Sequence, residues 1–169
     1  RRRQRQMCIR DSLRKEEYLR DADMKVLVQR VKRAGVEVEG KMVAAITAGL
    51  LVFVGVEKGD ARPQAEYLAA KVANLRIFED EDQKMNLSAL DVGGEIIVVS
   101  QFTLAGDCTR GNRPGFDNAA RPEDAKPLYE YFSDCLRAKG LHVENGIFQA
   151  DMQVSLINDG PVTFVLEKK

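Results

Sequence analysis

Leu50-Leu51-Val52-Phe53-Val54-Gly55-Val56 runs for seven positions without a polar side chain. A strand of this kind has no face to offer water, so it must be covered on both sides. Seven residues are far too few to span a bilayer as a helix. The expectation is therefore an enclosed strand inside a soluble, cytoplasmic domain with no membrane partner. The 169 residues are enough for one core that buries roughly 70% of the unfolded surface.

The flanking pattern says how that strand is enclosed. From Met24, Val26, Val28 and Val31 are interleaved with Lys25, Gln29 and Arg30, and Val36 and Val38 alternate with Glu37 and Glu39. Both stretches read as half-exposed strands. Gly40 marks a turn into a further strand, Met42 to Ile46. Gly35 to Lys41 fits the phosphate-loop spacing G-x-x-x-x-G-K, but Met42 stands where magnesium needs Ser or Thr. The Val/Glu alternation inside it marks a hairpin arm, which excludes a phosphate loop.

Asp60 is placed to cap a helix with Pro63 in its first turn and Leu68, Val72 and Leu75 on one stripe. Glu79 to Asp82 is a polar break, followed by a loop to Gly93-Gly94. Glu95 to Leu104 reads as an apolar strand, and Gly106 to Phe116 as an aperiodic polar loop. Pro122 opens a second helix with Leu128, Phe132, Cys135 and Leu136 inward, and Gly140 closes it. Asn145-Gly146 is a hairpin signal between Leu141–Val143 and Ile147–Ile157. A final strand covers Val162 to Leu166. The fold class is α/β (α+β), a single domain with a mixed sheet and two main helices.

Charge and composition remove several functions. The chain has 26 basic and 26 acidic side chains, which excludes a uniformly basic nucleic-acid binder. That balance is uneven: residues 1–23 carry +3 and residues 24–169 carry −3. Residues 1–23 show no strand alternation or sustained helical face, and read as a non-core extension before a start at Met24. One histidine and three cysteines leave little for a zinc cage or a disulfide framework, so no metal and no cofactor are expected. Glu79-Asp80-Glu81-Asp82 lacks the glycine and distal glutamate of a calcium loop and reads as a solvated turn.

The usual nucleophilic triads are closed by counting. His142 is the only imidazole and sits beside Val143 in an edge-strand setting. Cys108 lies in the polar loop with no evident base, Cys135 on the inner side of a helix, and the sequon at Asn86 carries little weight. Two segments stand out instead. In Ser100-Gln101-Phe102-Thr103-Leu104 an apolar strand gains three hydrogen-bonding side chains. Asn158-Asp159-Gly160-Pro161-Val162-Thr163 concentrates turn residues just before the last strand. Read singly, they are strand propensity and a simple turn.

Together with Met24-Lys25-Val26, Lys84 to Ser88, Gly106-Asp107-Cys108 and Arg113-Pro114, these segments make residues 24–169 resemble the D-aminoacyl-tRNA deacylases. The Ser-Gln-Phe-Thr and Gly-Pro stretches are that family's defining motifs. Gly115 stands where the family often has serine, and Thr109 where it is often basic. Residues 1–23 have no counterpart.

The resemblance implies a barrel-like core and a homodimer with two sites at the subunit interface. Its partner would be the aminoacylated 3′ end of tRNA, with no DNA. Ser100, Gln101, Phe102 and Thr103 of one copy would be catalytic, with Thr103 positioning and not attacking. Gly160, Pro161, Val162 and Thr163 of the other copy would bind substrate and read chirality. Arg110 and Arg113 suit phosphates near the acceptor end. Two rivals remain: a non-enzymatic dimeric RNA- or nucleotide-binding module, and an editing domain removing L-serine from threonyl-tRNA. The first would not need both motifs, and Gly160-Pro161 argues against the second.

Overall fold

The computed structural model describes residues 24–168; the reading of residues 1–23 as an extension lies outside them. The enclosed run forms β3 (Gly49–Gly55), antiparallel to the long β1 (Met24–Val38) and parallel to β6 (Glu95–Ser100). β2 (Lys41–Ile46) folds back on β1 through Glu39 and Gly40, both at positive φ, as a two-residue hairpin turn requires. Gly35 to Lys41 therefore lies in a hairpin and cradles nothing. β7 (Val143–Asn145) adds parallel to β6, and β8 (Gln153–Lys168) pairs antiparallel along most of β1.

Both faces of β3 and β6 are covered, by different means. Leu50, Val52, Val54, Ile96 and Val98 pack beneath α1 (Arg62–Asn74) and a longer helix, Pro122–Ala138, through Leu68, Val72, Phe132 and Leu136. Leu51, Ile97 and Val99 meet Val31, Ala34, Val36, Ala44 and Ile46, where β1 and β2 curl over the opposite face. The sheet is thus mixed and nearly closed as a barrel. Between α1 and β6 lie β4 (Phe78–Glu79), β5 (Met85–Leu87) and a single-turn helix, α2 (Ala89–Val92); the longer helix is α3.

Five local expectations are corrected. Asp60 does not cap α1; its Oδ2 accepts from the Glu57 amide at 2.6 Å, and Ala61 occupies the cap with its N–H on Gln64. The supposed loop to Gly93 holds β4, β5 and α2, the last capped by Ser88 and Asp91 in reciprocal hydrogen bonds. The strand from Glu95 stops at Ser100, and Phe102–Ala105 is a 3₁₀ turn.

Asn145-Gly146 makes no hairpin, because the Asn145 side chain is engaged elsewhere. It donates to Tyr129 Oη at 3.0 Å and Ser133 Oγ at 2.8 Å, and accepts from Arg137, which fastens β7 to α3. Asn158–Thr163 is not a turn between two strands either. It lies inside the continuous β8, where Asp159 to Val162 bulge out opposite the single residue Arg30.

Candidate functional site

Ser100–Thr103 owes its position to Gly55. A Cβ on Gly55 would stand 2.7 Å from Leu104 Cβ and 3.1 Å from the Gln101 carbonyl, so only glycine lets the 3₁₀ turn lie directly on β3. The Gln101 amide donates to Val54 O at 2.8 Å, continuing the ladder one residue past the strand. The chain then turns, with Leu104 N on Gln101 O and Gly106 N on Thr103 O. Phe102 and Thr103 open this turn, and its i→i+3 bonds leave their amides without an acceptor inside it. Both side chains are exposed, and Gln101 Nε2 donates to Thr103 Oγ1.

Ser100, Gln101 and Phe102 line one wall of a 570 Å³ cleft. Its remaining walls are apolar for the most part: Val54, Val99, Ala125, Tyr129, Phe148 and Met152. Tyr129 is buried, donates its hydroxyl to Val98 O at 2.8 Å, and is held above the ordinary phenol pKa chiefly by burial. It is the sole ionisable side chain among the residues lining the cleft. His142 lies outside it, exposed and 3.1 Å from Glu144. The cleft has the volume and mostly apolar lining of a small-molecule pocket, and its lining residues include no side-chain acid–base pair.

The second segment is presented differently. Gly160 and Pro161 are exposed, their peptide bond is cis, and Gly160 has φ +125. The bulge is gripped at both ends. Arg30, only 5% exposed, donates Nε to Asp159 O at 3.1 Å and Nη1 to Ile77 O at 2.7 Å. Asn158 accepts from the Val162 amide at 3.0 Å and donates to Thr163 Oγ1 at 2.9 Å; Gln29 reaches the same hydroxyl at 3.3 Å. Val162 is buried, which anchors the far side.

Arg30 and Gly55, which motif reading missed, hold the two segments in place together with Asn158. Arg30 had a signal, since it follows Met24, Val26 and Val28 on the inward parity of β1.

One chain does not bring the two segments together. Ser100, Val54, Val26 and Leu166 form one row across β6, β3, β1 and β8. Gly160 lies three strands from Ser100 and, opposite Arg30, four residues of β1 from that row, roughly 14 Å across the sheet and roughly 13 Å along it. Arg110 and Arg113 lie exposed on the arm Gly106–Phe116, whose root is the Asp107–Gly115 bridge. Asp107 Oδ1 accepts from the Thr109 hydroxyl at 2.6 Å and amide at 2.9 Å, which hold its carboxyl below the usual range. Cys108 is exposed on the same arm. Among the described residues no three His, Cys, Asp or Glu side chains converge as metal ligands, and no helix is long and apolar enough to cross a membrane.

The same sequence pattern is found in known proteins. A family model described as D-Tyr-tRNA(Tyr) deacylase matches residues 27–167. A D-aminoacyl-tRNA deacylase of Koribacter versatilis is 62% identical over 146 residues, covering 86% of this chain and 98% of its own. One from Geotalea uraniireducens is 60% identical over 144 residues, covering 85% and 93%. A solved structure described as a c-Myc DNA Unwinding Element Binding Protein superposes with TM-score 0.81 at 42% identity, covering 86% of this chain and 99% of that one. A probable eukaryotic D-amino acid tRNA deacylase shares the fold with TM-score 0.75 at 16% identity, covering 86% and 100%. The matched stretch contains both the cleft wall at Ser100–Phe102 and the bulge at Gly160–Pro161, and the chain belongs to the D-Tyr-tRNA(Tyr) deacylase family.

Proposed function

We propose that this protein hydrolyses the ester joining a D-amino acid to the 3′-terminal ribose of tRNA, releasing the free amino acid and tRNA. It acts as a homodimer in which each site combines Ser100–Thr103 of one copy with Gly160–Pro161 of the other. The observation that carries this reading is the pairing of a lined cleft with a rigid, outward bulge that cannot reach it within one chain. A second copy supplies the missing half.

Chirality is then read by exclusion. A main-chain carbonyl of the bulge occupies the volume an L side chain at the substrate Cα would need, while a D side chain points elsewhere. Side-chain identity hardly matters, so many D-amino acids are accepted. Glycine has nothing to exclude, and mischarged glycyl-tRNA is a substrate on the same logic.

The chemistry needs little from side chains, because an aminoacyl ester is already activated. Water attacks the carbonyl carbon, and the oxyanion that forms is met by the Phe102 and Thr103 amides. Each such donor is typically worth about 2.7–4 kcal/mol. The neighbouring 2′-hydroxyl of the terminal adenosine, acting through water, takes the attacking water's proton while passing its own to the 3′ oxygen, so the ester C–O bond breaks and the 3′-hydroxyl leaves. Thr103 positions the substrate, since a threonine hydroxyl without an adjacent base is a weak nucleophile. Arg110 and Arg113 contact phosphates of the acceptor end.

The test is paired hydrolysis of D-tyrosyl-tRNA and L-tyrosyl-tRNA by the purified protein. Release from the D ester alone is expected; equal rates on both defeat the exclusion argument. Binding of tRNA without hydrolysis of either ester returns the non-enzymatic module.

A further inference from the structure

Phe102 and Phe116 are the feature this mechanism leaves unused. Both are large, apolar and exposed, at 59% and 39%, and their ring centroids lie 5.1 Å apart with the planes inclined at 55°. Other large apolar side chains are exposed among the described residues, but these two are rings in mutual contact and so form a joined aromatic patch. The pair is held firmly. Gly106 lies beneath Phe116, where a Cβ would come within 3.1 Å of its ring, and the Asp107–Gly115 bridge fixes the arm immediately before it. On the other side the chain is tied to the end of β3 by Lys58 N on Asn118 O and Ala120 N on Val56 O.

Position and charge select what would cover the rings. Phe102 lines the mouth of the cleft, and Phe116 stands beyond it toward the arm. The arm's tip carries Arg110 and Arg113, while the carboxylate of Asp107 is turned onto Thr109. A π-face at the root of an arm whose tip carries two arginines suits an unpaired nucleotide: the base stacks and the phosphate pairs with arginine.

We propose that Phe102 and Phe116 form a stacking platform for the nucleobase that precedes the terminal adenosine of the RNA 3′ end, with Arg110 and Arg113 against its phosphate. This deepens the deacylase reading and rests on it, because the terminal nucleoside must sit in the cleft for its predecessor to reach the rings. The platform makes the enzyme recognise a single-stranded end and not the aminoacyl adenosine alone.

Equilibrium binding separates the two readings, since it needs no hydrolysis. The probes are the uncharged trinucleotide CCA and adenosine, with wild type, Phe116→Ala, Phe116→Leu and Phe116→Tyr. Wild type and the tyrosine variant should bind CCA about tenfold more tightly than adenosine, and the alanine and leucine variants should lose that advantage while binding adenosine unchanged. The leucine variant keeps the bulk over Gly106, so its failure reports stacking and not packing. Arg110→Ala with Arg113→Ala should reduce the salt dependence of CCA binding by about 0.7 in log–log slope for each phosphate left unpaired. Equal weakening toward both probes, or none toward either, overturns the platform. A change in sedimentation mass for Phe116→Ala makes the rings an interface between copies and also overturns it. Intact CCA preference without hydrolysis of D-tyrosyl-tRNA would instead sustain the platform and refute the deacylase reading.

Discussion

The guanidinium of Arg30 holds the carbonyl of Asp159 across the β1–β8 ladder, Nε to oxygen at 3.1 Å. The same side chain reaches Ile77 O at 2.7 Å, so one buried cation secures the root of the Gly160–Pro161 bulge and the start of β4. Arg30→Leu strands both carbonyls, and hydrogen bonds to a charged group are worth about 1.5–3 kcal/mol each. A loss of about 3 kcal/mol in urea unfolding is expected. Arg30→Lys should keep part of that stability but lose at least about tenfold in D-tyrosyl-tRNA hydrolysis, because an ammonium cannot span both acceptors. Wild-type rates for the lysine variant would show that the bulge positions itself.

Gly160 cannot carry a side chain. Its φ of +125 is a backbone conformation L residues rarely adopt, and a Cβ there would meet Val162 Cγ2 at 2.8 Å and Arg30 Nη2 at 3.1 Å. Gly160→Ala therefore displaces the anchor and the clamp together. The D-tyrosyl-tRNA rate should fall by roughly tenfold or more, the equivalent of 1–3 kcal/mol of local strain. Val162 belongs to the core and Arg30 is buried, so the thermal midpoint should fall as well, and the rate is compared well below the unfolding transition. A variant with wild-type kinetics would mean the bulge does not face substrate.

The polar network on α3 predicts a stability effect. Asn145 links Tyr129, Ser133 and Arg137, and thereby docks β7 against β6. Asn145→Ala should cost about 2 kcal/mol in urea unfolding, because it leaves several half-buried groups unmatched at once. A cost below about 0.5 kcal/mol would place the docking of β7 in backbone pairing alone.

These three sites show what a sequence can and cannot reveal. The enclosed β3 and the α1 stripe were legible, because burial on both faces and a 3.6-residue period are local patterns. Ser100–Thr103 and Gly160–Pro161 were legible as motifs. Arg30 was ambiguous: it continues the inward parity of Met24, Val26 and Val28, but read with Val31 as the next inward residue it falls on the polar side. Only the bulge of four residues opposite it explains why the inward parity changes there. Asn145-Gly146 misled for a related reason, since a turn signal is local and the partners of Asn145 lie on a helix earlier in the chain. Separation of the two motifs within one chain is a property of strand order, which no local pattern encodes.

The arm bearing Arg110 and Arg113 should loosen in acid. Asp107 is held below its ordinary pKa of 3.8 first by the Thr109 hydroxyl and then by the Thr109 amide, with burial opposing. A carboxyl depressed in the folded state stabilises above its unfolded pKa and loses that contribution as pH falls through the folded value. The Thr109 amide shift should therefore titrate in acid with a midpoint below 3.8. Asp107→Asn, which keeps an acceptor but no charge, should abolish that titration. An inflection well above pH 4 would show that the hydrogen bonds to Thr109 do not persist in solution.

Thr103 decides the chemistry. Its hydroxyl accepts a hydrogen bond from Gln101, and the cleft walled by the neighbouring Ser100–Phe102 is lined by no imidazole, amine or carboxylate. Covalent attack would need a base to remove its proton, and the nearest candidate by residue type, His142, is engaged with Glu144 outside the cleft. If the Phe102 and Thr103 amides carry the oxyanion and the RNA supplies the hydroxyl, deleting the Thr103 side chain removes positioning alone. Thr103→Ala should then keep D-tyrosyl-tRNA hydrolysis within about tenfold of wild type, since a single hydrogen bond of about 1 kcal/mol is all that separates them. A true nucleophile behaves otherwise, with losses of roughly 10⁴-fold or more on removal. A fall of that size would put the acyl group on Thr103, and an acyl-enzyme should then be trapped by rapid acid quench of the wild-type protein.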